Sequence, residues 1–272
     1  MRTALFVSFL LGVAALPAQD REFGTAVRTS LAEIRANPEA YKGVKVKFTV
    51  QFTSLGKISN PFFTKFTPTD FANFYAWADE QPIWQEKQYE DVFGMLFLSK
   101  THPKLEELYS LRLYQRIEIT GIIRNTFQNT PWIEVSDFEA VEGQLDTAVL
   151  THLYRGEKLM DQRLWPRAIA ELSLAPGDSV PPNAVRAAHK NLGICLLRMG
   201  EPQTAIGYLE SASSMAEGTD LEVLDLLAMA KSQPDQAIDR TVDSRGLKES
   251  ERPMWEAFEG DKGAAPTTKL MR

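Results

Sequence analysis

The sequence predicts a protein of two parts, a small β-barrel over residues 25–145 and paired α-helices over residues 146–232. Apolar and polar residues alternate strictly from Val44 to Phe52, which indicates a half-buried strand. Further strand-like segments follow, with one helical segment among them, and a 37-residue self-similarity then begins at Gly156. A chain of 272 residues that is 44% hydrophobic and 24% charged is typical of a folded protein with one large or two modest domains.

The amino terminus has the pattern of a signal peptide, which we assign to residues 1–18. Arg2 supplies a positive charge, and an apolar run of 13 residues extends from Ala4 to Leu16. Such a run is too short to cross a bilayer, and Ala18 is a small residue at which cleavage is expected. No later segment is apolar over about 18 consecutive residues. We therefore expect an exported, soluble protein in a periplasm or outside the cell, without a transmembrane segment after cleavage.

A short helix and five strands are predicted in the first part. Ser30 has the position of a helix N-cap, with Glu33 three residues later, and Asn37-Pro38 ends the helix. The first strand begins after Gly43, and its alternating apolar residues share one face. The other strands are predicted over residues 71–78, 92–99, 116–124 and 131–141, with a helix over residues 103–109 between the third and the fourth.

The order of three strands, a helix and two strands is that of the OB-fold barrel. The stretches NPEAYKGVKVKFTVQF, RIEITGIIR and PWIEVSDFEAV also resemble the OB-like domains of exported bacterial proteins. The resemblance covers nearly all of residues 29–142 and implies a five-stranded OB-like β-barrel. A glycine inside a strand, such as Gly121 or Gly94, is typical of a bulge where a sheet bends. Such barrels have many unrelated functions, so the fold alone does not predict a ligand.

Aromatic and basic residues on the barrel strands offer one candidate site. If their side chains share the OB face, they would bind an oligosaccharide or other polymer by stacking and hydrogen bonding. The alternative is that the aromatic residues are core and the lysines are a solvated face. The net charge of −6 argues against a nucleic-acid partner. The candidate residues are Lys45, Lys47, Tyr75, Trp77, Trp132 and Arg124.

The segment between the first two strands, residues 54–70, is long and contains three phenylalanines. A loop of this length in a compact domain is often functional. Phe62, Phe63 and Phe66 would form a contact site if they were exposed together, and they would otherwise fold back over the barrel.

Helical repeats are predicted from residue 146 because equivalent residues recur 37 positions apart, as Gly156 and Gly193 do. The second unit, AAHKNLGICLLRMGEPQTAIGYLESASSMAEG, resembles a tetratricopeptide (TPR) repeat. Small residues such as Gly193 let the two helices of a hairpin approach, and Gly200 ends the first helix. The resemblance implies TPR-like helical hairpins over residues 146–232, with a capping helix at their end. Two hairpins are few for independent stability, so we expect them to pack on the barrel or on a second copy.

The TPR resemblance implies that a protein or peptide partner binds in the groove formed by the first helix of each hairpin. Lys190, Asn191 and Arg198 could meet a carboxylate of that partner, and they would otherwise be a solvated face. The groove residues implied by the resemblance are Leu153, Glu157, Met160, Lys190, Ile194, Leu197 and Arg198.

Residues that could support catalysis are few. His102, His152 and His189 have no metal-ligand spacing, and the last two recur at the repeat period, which favours a structural role. Cys195, the single cysteine, lies among apolar residues and is predicted to be buried. The sequence has no Gly-rich phosphate loop, zinc signature or nucleophile elbow, so we expect no cofactor and no enzymatic activity. Residues 233–272 are predicted to be a mostly flexible tail, in which the apolar turn of Met254, Trp255 and Phe258 could belong to a short docking helix.

Two functions follow from the sequence. The first is a non-enzymatic exported adaptor or scaffold, in which the repeats hold a protein or peptide and the barrel is a second contact module. The alternative is an extracytoplasmic ligand-binding protein that uses the barrel face. Self-association is left open by the sequence.

Overall fold

The structure is a computed structural model that describes residues 24–56, 65–216 and 218–232. The predicted signal peptide at residues 1–18, Phe62 and Phe63 of the long loop, and the predicted tail at residues 233–272 lie outside the described residues.

Six strands and three short helices form the first part of the described chain, and five longer helices follow. The first part contains β1 (Val27–Arg28), α1 (Leu31–Ala36), β2 (Lys45–Leu55), β3 (Phe71–Ala78), α2 (Glu86–Glu90), β4 (Phe93–Ser99), α3 (Leu105–Ser110), β5 (Gln115–Phe127) and β6 (Thr130–Gln144). The second part contains α4 (Thr147–Asp161), α5 (Trp165–Leu172), α6 (Pro182–Met199), α7 (Pro202–Ser214) and α8 (Leu221–Ser232).

The strands form one six-stranded mixed sheet, in the order β1-β2-β3-β4-β6-β5, with a further pairing of β2 with β5. β1 runs parallel to β2 and β4 runs parallel to β6, whereas the other pairs are antiparallel. The predicted fold class, a five-stranded OB-like barrel followed by TPR-like hairpins, is therefore wrong. The sheet gains a strand because residues before α1 add to β2 in parallel, and a two-residue strand leaves no hydrophobic pattern in the sequence.

Most of the individual elements in this part were predicted correctly. Ser30 caps α1, since its hydroxyl accepts a hydrogen bond of 3.1 Å from the backbone N–H of Glu33. The apolar face of β2 is buried from Val46 to Phe52 and packs with Leu31 and Ile34 of α1. Burial of alternate side chains is the physical basis of the pattern in the sequence, and it fixes which face of β2 meets the core.

The helices do not form an array separate from the sheet. One continuous hydrophobic core contains Trp77, Trp84 and Tyr114 from the first part together with Leu150 and Leu192 from the helices. Each of these five side chains is at most 5% exposed. The helices therefore share a core with the sheet and do not form a separate array of TPR-like hairpins. Packing on the sheet is one of the two placements that were expected for them.

The 37-residue periodicity corresponds to a repeated helix contact. A Cβ atom built on Gly156 would lie 2.5 Å from Leu172 Cδ2, and one built on Gly193 would lie 2.6 Å from Leu209 Cδ2. In each case the absent side chain lets a leucine of the next helix approach the backbone. Gly200 ends α6 with φ of +81°, a left-handed conformation that glycine adopts readily.

Substitution of Gly193 by alanine tests this close approach. An added methyl group would overlap Leu209, and overpacking costs about 1–3 kcal/mol. The higher helix propensity of alanine returns about 1 kcal/mol of that cost. We expect a lower free energy of unfolding, measured by urea denaturation.

Gly207 provides the matched control because a Cβ atom there meets nothing within 4 Å. Gly207→Ala is expected to stabilise the protein by about 0.5–1 kcal/mol through helix propensity alone. Equal stabilisation by both substitutions would contradict the close packing at Gly193.

Candidate functional site

A cleft of about 520 Å³ lies between the helices α4 and α6 and the segment that follows β3. The helices contribute apolar side chains from Met160, Ala187 and Ile194, all of them partly exposed. The segment after β3 contributes Pro82 and Trp84 from the opposite side. The cleft is therefore built by both parts of the chain.

Glu157 is the polar centre of this cleft. Its carboxylate accepts hydrogen bonds from Trp84 Nε1 at 2.8 Å and Gln85 Nε2 at 3.0 Å, which come from the segment after β3. A longer bond of 3.3 Å comes from Asn191 Nδ2 on α6. Because these three donors belong to two elements and Glu157 belongs to α4, the carboxylate ties together the elements that form the cleft.

Burial raises the pKa of Glu157, and the three hydrogen bonds only partly oppose this effect. A carboxyl group whose pKa is higher in the folded than in the unfolded state makes the folded protein bind more protons. The free energy of unfolding therefore falls as the pH rises through the raised pKa.

Glu157→Gln is expected to remove this part of the pH dependence. Glutamine still accepts hydrogen bonds from Trp84 and Asn191 through its carbonyl oxygen, but it carries no titrating group. The stability of the variant relative to the native protein should therefore rise as the pH is raised from about 4 to about 7. Urea denaturation at a series of pH values measures the difference. Glu86→Gln, on the exposed surface, is the control, and an unchanged slope in Glu157→Gln would contradict the assignment.

Arg186 and Lys190 of α6 and Glu222 of α8 line one side of the cleft. Lys190 forms an ion pair with Glu222, and Arg186 forms one with Asp220. The Glu222 carboxylate is 63% exposed, so this pair is open to solvent and to competing ligands. The lining thus combines an apolar floor with positive and negative groups at its edge.

The structure brings together four of the seven predicted groove residues, Glu157, Met160, Lys190 and Ile194, in this cleft. Leu153 and Leu197 are instead buried in the core, at 0% and 2% exposure, and are not part of a groove. Arg198 is exposed on α6 but does not line the cleft.

The sequence reasoning missed the residues that the segment after β3 contributes. Trp84 and Glu157 are 73 residues apart, and no local pattern connects them. The only sequence signal was a pair of large side chains, Ile83 and Trp84, in a segment assigned to no strand.

The predicted ligand face on the strands is not assembled. Trp77 is fully buried, with its indole N–H donating to the Tyr89 carbonyl at 3.0 Å, and Trp132 is only 7% exposed. Their rings are core, as the alternative interpretation held. Tyr75 and Lys45 are partly buried, whereas Lys47 pairs with Glu118 at 2.6 Å and Arg124 pairs with Glu134 at 2.7 Å.

The end of the long loop folds back over the sheet. Phe66 is 3% exposed and stacks on Phe97, with 4.3 Å between the ring centroids. Of the three phenylalanines in that loop, the one that the structure describes is therefore not an exposed contact residue.

A second cleft, of about 360 Å³, lies between the sheet and the start of α6. Its cations are already paired, since Arg28 and Lys47 both contact Glu118, at 2.9 and 2.6 Å. Arg116 contacts Asp79 at 2.7 Å. Because these cations already contact carboxylates, this cleft does not present a concentrated field for an anionic ligand.

Reactive groups are dispersed over the described residues. Burial raises the pKa of the Cys195 thiol to about 12, which keeps it protonated and unreactive. His102 bonds to the carbonyl of Ser136, His152 to Glu171 and His189 to Ser211, so each imidazole has a different partner. In residues 24–56, 65–216 and 218–232, no group of three His, Cys, Asp or Glu side chains is placed to hold a metal ion.

None of the helices in the described part of the chain is both long enough and apolar enough to span a membrane. Comparison of the chain with protein families, with curated proteins and with solved structures gives no match.

Proposed function

We propose that this protein is an exported, non-enzymatic adaptor that binds a peptide segment of a protein partner in the cleft around Glu157. The observation that carries the proposal is the lining of that cleft. Met160, Ala187 and Ile194 offer partly exposed apolar surface, and Glu157 and Lys190 place opposite charges beside it.

The size of the cleft agrees with this proposal. Sites for small ligands have volumes of about 300–1,000 Å³, and a cleft of about 520 Å³ holds a few side chains of a peptide. Apolar contacts would supply most of the affinity, and the charged groups would fix the orientation. Lys190 forms an ion pair with Glu222, which is exposed to solvent. A carboxylate of the bound protein can replace Glu222 in this ion pair.

The proposal that the protein is exported rests on its amino-terminal sequence. The charge at Arg2 and the apolar run from Ala4 to Leu16 are typical of a signal peptide. The partner is then expected to be a protein of the same extracytoplasmic compartment.

Selection of short random-sequence peptides displayed on phage, with the full chain immobilised, tests the binding function. The Kd of each recovered peptide is measured for the native protein and for the variants. We expect it to be at least about tenfold higher for Ile194→Glu and for Lys190→Glu than for the native protein. These changes place negative charge on the apolar floor and reverse the charge at its edge. Both residues keep some exposure, so we expect both variants to fold, which circular dichroism checks.

Arg198→Glu is the matched control because Arg198 lies on the same helix, is exposed and does not line the cleft. Its Kd should stay within about twofold of the native value. The proposal fails if no peptide is recovered, or if the recovered peptides bind equally well to all three variants.

A further inference from the structure

Helix α8 has apolar residues on two opposite faces. Its inner face, with Val223, Leu227 and Ala230, is buried at 8% exposure or less. On its outer side Leu221 is 70% exposed, Leu224 is 44% exposed and Met229 is 48% exposed. Ala228 is also exposed there, one turn beyond Leu224.

The outer face of α8 has no cover in the described part of the chain. α8 packs on α7 and α6 through its inner face, and it is the last helix that the structure describes. Large apolar side chains on one stripe of the last described helix indicate a surface that another segment covers.

The dimensions of this face favour a short segment over a globular partner. A helix of 12 residues is about 18 Å long, so one side of it offers an area far below the roughly 800 Å² per partner of a stable protein interface. A free partner would bind such a face weakly, whereas a tethered segment gains an effective concentration in the millimolar range, on the order of 1 mM.

The chain itself supplies such a segment. Forty residues follow α8, and within them Met254, Trp255 and Phe258 place three large apolar side chains in five consecutive positions. The 20 residues from 233 to 252 can span up to about 66 Å when extended, more than enough to return to a helix about 18 Å long. We propose that the segment from residue 253 to residue 258 packs on the outer face of α8, the face of Leu221, Leu224, Ala228 and Met229.

The test is fluorine NMR of the full chain labelled with 5-fluorotryptophan. The chain has five tryptophans, and the four that the structure describes, Trp77, Trp84, Trp132 and Trp165, are at most 7% exposed. These four resonances report whether each variant is folded. The fifth resonance belongs to Trp255 and is assigned by its loss in Trp255→Phe.

A spin label at Lys231→Cys, near the outer face at the end of α8, measures proximity. Labelling is selective because Cys195 is fully buried with a pKa of about 12, whereas Lys231 is 60% exposed. We expect the Trp255 resonance to be broadened by the label when both lie in one chain. We expect no broadening when spin-labelled chains are mixed with separate fluorinated chains.

Leu224→Lys should restore a sharp Trp255 resonance at the position of a solvent-exposed tryptophan. Leu174→Lys is the matched control, because Leu174 is 64% exposed but lies outside α8. Broadening that occurs only between separate chains would assign the face to a second copy and overturn the proposal. The proposal would also be overturned if the spin label did not broaden the Trp255 resonance and Leu224→Lys did not change it.

Discussion

Replacement of Trp77 by alanine is expected to lower the free energy of unfolding by about 3–5 kcal/mol, the range for truncation of a buried aromatic residue. Trp77 is fully buried, and its ring centroid lies 5.1 Å from that of Tyr89 and 5.6 Å from that of Tyr114. Its indole N–H also donates a hydrogen bond of 3.0 Å to the Tyr89 carbonyl. Alanine has no side-chain donor, so this carbonyl would lose that hydrogen bond. This core also contains side chains from α4 and α6, so removal of the Trp77 ring weakens the packing between the sheet and the helices.

Urea denaturation followed by circular dichroism measures this effect. Trp77→Phe keeps an aromatic ring and should cost less than Trp77→Ala, since it leaves a smaller cavity and loses the same hydrogen bond. Tyr109→Ala, at a residue that is 43% exposed, should change the stability by less than about 1 kcal/mol. A loss below about 1 kcal/mol in Trp77→Ala would contradict the burial of its ring at the centre of the core.

The strands could be predicted individually because burial of alternate side chains requires apolar and polar residues to alternate in the sequence. In β2 the apolar positions Val46, Phe48, Val50 and Phe52 are all at most 4% exposed. Gly121 was expected to mark a bulge, and the register of β5 against β6 shifts between Thr120 and Gly121. A Cβ atom there would lie 2.9 Å from the Glu134 carbonyl oxygen, which explains why the bulge needs glycine.

The fold class could not be predicted from these patterns. Alternation shows which face of a strand is buried, but it carries no information on the neighbouring strand or its direction. The parallel pairing of β4 with β6 and the addition of β1 to β2 depend on connections between distant residues. The shared core of sheet and helices depends on side chains such as Trp84, in a segment without a periodic pattern.

The candidate site was predictable only on its helical side. The TPR resemblance implied a groove on the first helix of each hairpin, and the cleft contains Glu157, Met160, Lys190 and Ile194 of those helices. The same reasoning also included Leu153 and Leu197, which face the core. A leucine suits a groove and a core equally well, so residue type does not decide between two faces of a helix that is buried on more than one side.

Asp79 follows β3 and forms hydrogen bonds with residues of β2, β5 and α6. Its carboxylate forms two hydrogen bonds of 2.7 Å with Arg116 of β5, and the two side chains are 22% and 11% exposed. Its backbone carbonyl accepts hydrogen bonds from Gln51 of β2, at 3.0 Å, and from Asn183 of α6. The ion pair therefore holds the carbonyl that positions the start of α6, the helix that carries Lys190 and Ile194.

Arg116→Met is expected to lower the free energy of unfolding by about 2–4 kcal/mol, because it leaves the Asp79 carboxylate largely buried without its partner. Asp79→Leu combined with Arg116→Met removes both charges and should recover part of that loss. Arg28→Met is the control, since its side chain is 76% exposed and surface ion pairs contribute about 0–1 kcal/mol. Urea denaturation of the native protein, Asp79→Leu, Arg116→Met and the double variant gives the coupling free energy of the pair. A coupling near zero would mean that the two charges do not act together, and that the ion pair does not help to position the start of α6.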